Sequence, residues 1–260
     1  MKTPDDLKFV VKEKYGAIAS QNEKCCCGSS SSYSIFSESY SHLKGYTAEA
    51  DLSLGCGVPT AFAKIKEGDT VVDLGSGAGN DCFVARAITG SKGKVIGIDM
   101  TEEMLERANQ NLSKLPFENV YFLLGDIENI PLDKDLADVV ISNCVLNLVP
   151  DKLKAFSEIF RILKPGGHFS VSDIVLEGEL PDSIRSAAEL YAGCVGGAIQ
   201  KSAYLEMISQ SGFKNILVQK NRKLELPDEL LLKHISKEEL RAFHMLDTGI
   251  YSITVYAEKN

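Results

Sequence analysis

The sequence has no long run of apolar residues and no apolar segment near its N-terminus. A membrane-spanning helix needs roughly 20 consecutive apolar residues, and a signal peptide needs an apolar segment behind its first charges. Residues 1–15 instead interleave charged side chains with apolar ones. The sequence therefore predicts no membrane partner and a cytoplasmic location.

Dense clusters of Lys and Arg are also absent. The 28 Lys and Arg residues are outnumbered by 36 Asp and Glu residues, and the formal net charge of −8 would repel the phosphate backbone of nucleic acid. Hydrophobic residues make up 44% and charged residues 25% of the 260 residues, which is typical of a chain with a sizeable core. We expect one elaborated domain, a monomer that does not bind nucleic acid.

No Cys-x-x-Cys pair occurs among the seven cysteines, and the sequence contains only four histidines. Zinc fingers and ribbons pair their ligands closely in sequence, so structural zinc is not expected. Seven is an odd number, and thiols stay mostly reduced inside cells, which argues against a static disulfide framework. Isolated thiols favour a soft ion bound through three sulfurs.

The chain does contain an alternation of strands and helices. Residue periodicity predicts strands at 70–74, 94–99, 120–124, 137–142, 168–175, 215–219 and 252–257, and helices at 5–18, 81–89, 101–115, 153–163, 202–211 and 227–243. This order predicts an α/β fold with a Rossmann-like, doubly wound, mostly parallel sheet of seven strands. We expect an N-terminal cap (1–56) with a mobile Cys-rich segment, a ligand-binding core (57–176), and a substrate-binding cap with closing strands (177–260).

A glycine turn follows the first strand of the predicted core. Residues 73–79 read Asp-Leu-Gly-Ser-Gly-Ala-Gly, and glycines there let a ligand approach the backbone closely. Asn80 replaces the third glycine of dinucleotide sites, which favours a ligand without a pyrophosphate over NAD or FAD. Asp99 and Asp126 end the next two strands on the same rim and suit an adenosine that carries positive charge. The alternative is that these aspartates only cap helices or form turns.

The combined pattern is similar to that of the class I S-adenosylmethionine-dependent methyltransferases over residues 61–175. The pattern is Asp-x-Gly-x-Gly-x-Gly, an acidic strand end, and Gly-Asp-Ile at 125–127. The resemblance implies S-adenosylmethionine over the glycine turn, with its ribose on Asp99, its adenine near Asp126 and Ile127, and its methyl group near Asn143. The cofactor-binding residues expected on this basis are Asp73, Gly75, Ser76, Gly77, Gly79, Asp81, Asp99, Met100, Asp126, Ile127 and Asn143.

Three cysteines have settings that could bring them to this rim. Cys144 directly follows the fourth strand, whose end lies at the ligand-bearing edge. Cys56 and Cys194 lie among glycines, which permit a close approach of the backbone. The alternative for each is a small buried side chain without a chemical role, and Cys82, on the helix after the glycine turn, is assigned to the core on that ground.

Four segments resemble the arsenite S-adenosylmethionine methyltransferases more specifically. They are Leu-Gly-Cys-Gly at 54–57, the glycine turn at 73–81, Ser-Asn-Cys-Val-Leu-Asn-Leu-Val-Pro-Asp-Lys at 142–152, and Cys-Val-Gly-Gly-Ala at 194–198. The resemblance implies that trivalent arsenic, from arsenite or its thiol conjugates, is bound by three thiolates. By motif, these catalytic and arsenic-binding residues are Cys56, Cys144 and Cys194.

The same resemblance implies a fourth, upstream cysteine that pairs with Cys56 in a redox step. The tandem run Cys25, Cys26 and Cys27 leaves open which of the three it is; we take Cys26 and Cys27 as the catalytic candidates. Leu54 stands where some members of the family have a Tyr before Gly-Cys. Any role of that aromatic side chain is therefore absent here or supplied elsewhere.

The expected chemistry follows from the softness of the ligands. Thiolates select thiophilic ions, and arsenic bound by three thiolates keeps a lone pair that can attack the methyl group of S-adenosylmethionine without a general base. Methyl transfer oxidises arsenic, and a transient disulfide involving Cys56 would then be reset by glutathione or thioredoxin. Two alternatives remain: a methyltransferase for a small organic acceptor such as a quinone, and a thiol protein that binds the metalloid without turnover.

Overall fold

The computed structural model describes residues 3–20, 37–185, 195–233, 235–245 and 248–260. The helices with defined bounds are α1 Pro4–Ser20, α2 Asn80–Thr89, α3 Glu102–Leu112, α4 Lys152–Ile162, α5 Lys201–Gln210, α6 Asp228–Leu231 and α7 Lys237–Met245. The strands are β1 Thr70–Leu74, β2 Lys94–Asp99, β3 Val120–Leu124, β4 Ala137–Asn143, β5 Leu163–Glu177, β6 Lys214–Leu224 and β7 Gly249–Glu258. Short 3₁₀ turns cover Pro59–Ala61 and Leu146–Leu148.

The strands form one sheet in the order β3-β2-β1-β4-β5-β7-β6. Strands β1 to β5 pair in parallel, whereas β7 is antiparallel to both β5 and β6. The strand order reverses between β1 and β4, and a crevice therefore opens at the carboxyl ends of these strands. The predicted Rossmann-like, mostly parallel sheet of seven strands is confirmed.

Alternate residues of β1 pack on opposite faces of the sheet. Val72 lies in an apolar cluster with Phe156 of α4 and Tyr204 of α5, whereas Val71 packs with Phe83 of α2 on the other face. Because helices cover both faces, β1 is apolar along most of its length. This packing holds the carboxyl end of β1, where the glycine turn begins, at the crevice.

Several predicted bounds in the C-terminal part are wrong. Strand β6 continues to Leu224 instead of ending at 219, because residues 220–224 also pair with β7. Strand β5 begins at Leu163 instead of 168, so Pro165 lies within this strand, shortly after α4 ends at Ile162. The helix predicted over 227–243 divides into α6 and α7.

Helix α1 packs against helix α3 of the core. Gly16 of α1 lies against the side chain of Glu103, and Arg107 donates a hydrogen bond to the carbonyl of Ala19 at 3.1 Å. Among the helices in the described ranges, none is both long and apolar enough to cross a membrane. The division of the chain at residues 56 and 176 stays a prediction, and the predicted mobile segment at 25–32 lies outside the described residues.

Candidate active site

A cleft opens at the carboxyl ends of β1, β2 and β4, with a volume of about 1190 Å³ including its open mouth. The glycine turn, the ends of β2 and β4, residues 50–55 and part of α1 line it. Every residue predicted to bind the cofactor lines this cleft except Gly79, which is the N-cap of α2. The sequence therefore located the cleft, while the role of each residue stays a prediction.

The backbone of the glycine turn needs glycine at several positions. Gly75 and Gly77 have φ angles of +72° and +51°, in the left-handed region where a Cβ is disfavoured. A Cβ at Gly75 would collide with the side chain of Val145. At Gly77 a Cβ would point into open space, with Met104 Sδ 4.0 Å away. The turn thus leaves bare backbone facing the cleft.

The carboxylates that end β2 and β3 make turn contacts as well as lining the cleft. Asp99 accepts hydrogen bonds from the N–H of Gly77 and of Thr101, both at 2.9 Å. Burial raises the pKa of Asp99, and these donors oppose that rise. Asp126 accepts a hydrogen bond from the N–H of Glu128 at 2.9 Å. Asp99 and Asp126 therefore make the turn contacts that the alternative predicted, and these contacts do not exclude a bound ligand.

Lys8 of α1 reaches this rim from the N-terminal cap. Its ammonium lies 2.6 Å from Asp126 Oδ2 and also pairs with Glu128. Lys8 lines the cleft together with Val11 and Tyr15 of the same helix. Sequence reasoning did not find these residues, because nothing in α1 itself indicates which surface it covers.

Asn143 at the end of β4 connects the cleft with the loop that carries Cys56. Its Oδ1 accepts hydrogen bonds from the N–H of Cys56 at 3.1 Å and of Gly57 at 3.3 Å. Its Nδ2 donates to the hydroxyl oxygen of Tyr40 at 2.7 Å. A Cβ at Gly55 would collide with the Asn143 amide, and one at Gly57 would lie 2.6 Å from Ser172 Oγ. The glycines around Cys56 thus permit the close approach that was predicted.

Two carboxyl groups, that of buried Asp73 and that of half-buried Asp81, lie on the β1 side of the cleft. Asp81 accepts hydrogen bonds from the Tyr40 hydroxyl at 2.9 Å, and burial raises its pKa to about 6. Burial and the nearby Asp81 raise the pKa of Asp73 well above its usual value. Cys82 donates an S–H hydrogen bond to Asp73 at 3.3 Å and is fully buried, which confirms its assignment to the core. The site is therefore suited to a cation, which would favour the ionised carboxylates.

Cys56 and Cys144 come together in the structure, and Cys144 lines the cleft. The two sulfurs and a carboxylate oxygen of Asp173 lie within 4.8 Å of one another. Cys144 has a φ of +62°, which is uncommon for a residue with a Cβ and often marks a functional position. Its N–H donates to the carbonyl of Ser172 at 2.7 Å.

Asp173 was not predicted. It is fully buried on β5 and accepts hydrogen bonds from the Tyr204 hydroxyl at 3.2 Å and from the N–H of Ile174 at 3.0 Å. Burial raises its pKa to about 7. The available signal was a charged residue within an apolar strand, because such residues are rarely buried without a partner.

The other predicted cysteines, namely Cys194, Cys25, Cys26 and Cys27, lie outside the described residues. The chain directly after position 194 is described. Val195 and Ala198 belong to the same buried apolar cluster as Cys56 and Cys144. Gly197 packs so closely on the carbonyl of Asn147 that a Cβ would collide with it. Leu54 lines the cleft, and Tyr40 supplies an aromatic side chain to the same cleft.

A family model described as a methyltransferase domain matches residues 65–217. This segment contains the glycine turn, the rim carboxylates, Cys144 and Asp173, and it covers more than half of the chain. The chain belongs to the methyltransferase family. The predicted class I S-adenosylmethionine-dependent methyltransferase fold is thereby confirmed.

Individual methyltransferases match the chain over different lengths. An arsenite methyltransferase of Halobacterium salinarum is 40% identical over 229 residues, which are 82% of this chain and 59% of that protein. The crystal structure of an arsenic(III) S-adenosylmethionine methyltransferase from Chlamydomonas reinhardtii superposes with a TM-score of 0.65 at 34% identity, covering 78% of this chain and 66% of that one. A demethylmenaquinone methyltransferase of Lactococcus lactis is 41% identical over 100 residues, 38% of this chain and 40% of that protein.

These relatives confirm the resemblance to arsenite methyltransferases. The chain spans about 59% of the length of the Halobacterium protein, so the similarity covers part of that relative. The match to the quinone methyltransferase is confined to less than half of the chain, whereas the matches to arsenic methyltransferases extend over most of it. The chain is thus similar to the arsenic methyltransferases over a greater length than to the quinone methyltransferase.

The cleft fits S-adenosylmethionine, the methyl donor of this fold. Ser76 Oγ and Asn80 Oδ1 are buried beside the glycine turn and have no hydrogen-bond partner among the described residues. Buried polar atoms normally find a partner, so a polar ligand over the turn would satisfy them. A Cβ at Gly77 would project into this space. The turn therefore combines open backbone with unsatisfied polar atoms, as a nucleoside-containing ligand requires.

Proposed function

We propose that the protein is an arsenite methyltransferase, which transfers methyl groups from S-adenosylmethionine to trivalent arsenic bound by Cys56, Cys144 and Cys194. The observation that carries the proposal is the pair formed by Cys56 and Cys144. These thiols, far apart in sequence, lie in one buried cluster, and Cys144 also lines the cleft that fits the donor. A soft acceptor could thus be held beside the donor.

The third thiolate of the proposal is that of Cys194. Its support comes from the neighbouring chain, because Val195 is buried in the cluster that holds the other two cysteines and Gly197 contacts the loop after Cys144. Three thiolates match the preference of trivalent arsenic for soft ligands. With 1% of Cys56 and 4% of Cys144 exposed, bound arsenic would be protected from water.

For the donor, the proposal places the ribose on Asp99, the adenine near Asp126 and Ile127, and the remainder over the glycine turn toward Asn143. When bound, S-adenosylmethionine would supply an electrophilic methyl group for attack by the lone pair of arsenic, with S-adenosylhomocysteine as the leaving group. The chain's contribution is alignment and exclusion of water. Asn143 holds the Cys56 loop through two backbone N–H groups, and Lys8 fastens α1 at the rim.

The proposal includes a reductive step. Methyl transfer takes arsenic from the trivalent to the pentavalent state, and two thiols return two electrons to arsenic when they join in a disulfide and release their protons. We assign one thiol to Cys56 and the other to the tandem run, with Cys26 and Cys27 as candidates. Glutathione or thioredoxin would reduce this disulfide. A cytoplasmic location and a monomeric state stay part of the proposal.

Affinity for S-adenosylmethionine is expected to rise with pH between about 5 and 7. Asp81 has a pKa of about 6, so it is mostly neutral at the lower end and ionised at the upper end. A cationic ligand binds the ionised form better, so its affinity increases by up to about tenfold per pH unit until Asp81 is fully ionised. Titration calorimetry in buffers of different pH measures this slope, and Asp81→Asn should flatten it. An equally steep slope in the variant would assign it to another group.

The function is tested by incubating the full chain with S-adenosylmethionine, arsenite and excess thiol. We expect formation of S-adenosylhomocysteine that depends on arsenite, together with methylated arsenic in the same stoichiometry. A demethylated quinone as the acceptor, with arsenite omitted, should give none. Turnover with the quinone alone would instead support an organic acceptor. Arsenite binding without S-adenosylhomocysteine formation would support a protein that sequesters the metalloid.

A further inference from the structure

We propose that Cys56, Cys144 and Asp173 form a binding site for a thiophilic divalent cation of the zinc type, which competes with trivalent arsenic. The site shares its two thiols with the proposed function, on which only the competition rests. Cation binding itself requires no methyl transfer. Asp173 has no part in arsenic methylation as proposed above, so its place beside the two thiols needs another account.

The donor set matches a borderline-soft dication. Zn²⁺ binds thiolate sulfur and carboxylate oxygen, and three protein ligands plus one exchangeable position are common at its sites. Here the three ligand atoms come from the Cys56 loop, the end of β4 and the middle of β5, and they lie within 4.8 Å of one another. Binding replaces the two thiol protons and the proton of any neutral Asp173 carboxyl, all of which pass to the buffer, and breaks no other bond.

The distances permit this coordination after small adjustments. In tetrahedral zinc sites with Zn–S bonds of about 2.3 Å, the two sulfurs lie about 3.8 Å apart. Ligand atoms within 4.8 Å reach that separation through small rotations of side chains. The backbone that carries these ligands is well held, because Asn143 anchors the N–H of Cys56 and β5 anchors the N–H of Cys144.

The surroundings of Asp173 resemble those of a carboxylate ligand. Its oxygens accept hydrogen bonds from the Tyr204 hydroxyl and from the backbone N–H groups of Ile174 and Asn147. Such outer contacts orient a ligating carboxylate and tune its affinity for metal. An ionised carboxylate has about four acceptor sites, so one remains beyond these three donors for a cation beside the two thiols.

Asp173 also distinguishes the two ions. Arsenic bound by three thiolates has no need of an oxygen ligand, whereas a zinc-type dication takes four ligands and gains from an anionic oxygen beside the thiolates. Removing the carboxylate should therefore weaken zinc binding much more than arsenite binding. A purely structural role of Asp173 would weaken both to a similar degree.

The test measures Zn²⁺ binding to the full chain by competition with a chromophoric chelator. Cys25, Cys26 and Cys27 are replaced by Ser in all samples, so that these thiols do not take up the ion. We expect one Zn²⁺ per chain, and Co²⁺ in its place should show thiolate-to-metal charge-transfer absorption. Cys144→Ser and Asp173→Asn should each raise the Kd for Zn²⁺ by at least about tenfold.

Two further variants in the same background complete the test. Cys82→Ser removes a buried thiol outside the cluster and should leave the Kd unchanged. Tyr204→Phe keeps the packed ring but removes the hydrogen bond to Asp173, and should weaken zinc binding by about tenfold. If Asp173→Asn does not fold, the Kd of Tyr204→Phe for Zn²⁺ tests the role of Asp173 instead.

The proposal is overturned if folded Asp173→Asn binds Zn²⁺ as tightly as the parent, or if it loses arsenite and zinc affinity equally. Failure of the proposed function is distinguishable from these outcomes. Zinc binding through the three residues without arsenite methylation would refute only the proposed function. Arsenite methylation that Zn²⁺ does not inhibit would refute only the competition.

Discussion

Replacing Cys144 by Ser is expected to lower arsenite methylation by at least about 100-fold. A hydroxyl is a hard ligand and a poor partner for trivalent arsenic, so the acceptor would lose one of its holding points beside the donor. The cleft itself should persist, because the glycine turn and Asp99 make no contact with the Cys144 sulfur in the interactions that hold them. The Kd for S-adenosylmethionine should therefore change by less than about threefold.

Initial rates of S-adenosylhomocysteine formation and calorimetric titration of the donor measure these two quantities. Cys82→Ser is the matched control, because it removes a fully buried thiol on α2 and keeps a hydroxyl that can bond to Asp73. We expect it to retain most of the methylation rate. Undiminished methylation in Cys144→Ser would remove the thiolate site from the mechanism.

Asp99→Ala is expected to raise the Kd for S-adenosylmethionine by about 100-fold. A hydrogen bond to a charged group contributes about 1.5–3 kcal/mol, and the ribose is proposed to donate two hydroxyls to Asp99. The variant also removes the acceptor that holds the N–H of Gly77 at 2.9 Å. Both losses weaken the same binding site.

Titration calorimetry with S-adenosylhomocysteine as a second ligand checks this prediction, since that ligand keeps the ribose and should lose affinity in parallel. Asp135→Asn is the control. Asp135 lies outside the cleft, where its Oδ1 is 2.7 Å from Lys259 Nζ, so this variant should leave both Kd values unchanged. A normal donor Kd in Asp99→Ala would place the ribose elsewhere.

The strands of the core were predictable because their signals are local. Strands β1, β2 and β3 have the predicted bounds, since each is a short apolar run closed by a turn. Strand β6 was not, because five of its additional residues form a ladder only through pairing with β7. Pairing between distant segments leaves little trace in either segment alone.

The candidate site divides in the same way. Cys144 could be placed at the rim from its position after β4, but its approach to Cys56 depends on Asn143, which reaches back to the N–H groups of the Cys56 loop. Tyr40 and Lys8 were not predicted, because both belong to the N-terminal region, far from the glycine turn in sequence. Tyr40 reaches the cleft through its contact with Asp81, and Lys8 through its contact with Asp126.

The donor-binding half of the molecule was predictable from local sequence. A strand, a glycine turn and a helix are contiguous, and their backbone geometry follows from the residues at hand, above all from glycines with positive φ. The cluster of two thiols and a carboxylate became apparent only in three dimensions. Cys56, Cys144 and Asp173 lie on three separate segments, and their meeting point is set by strand order and by side-chain packing across the sheet, which no single segment encodes.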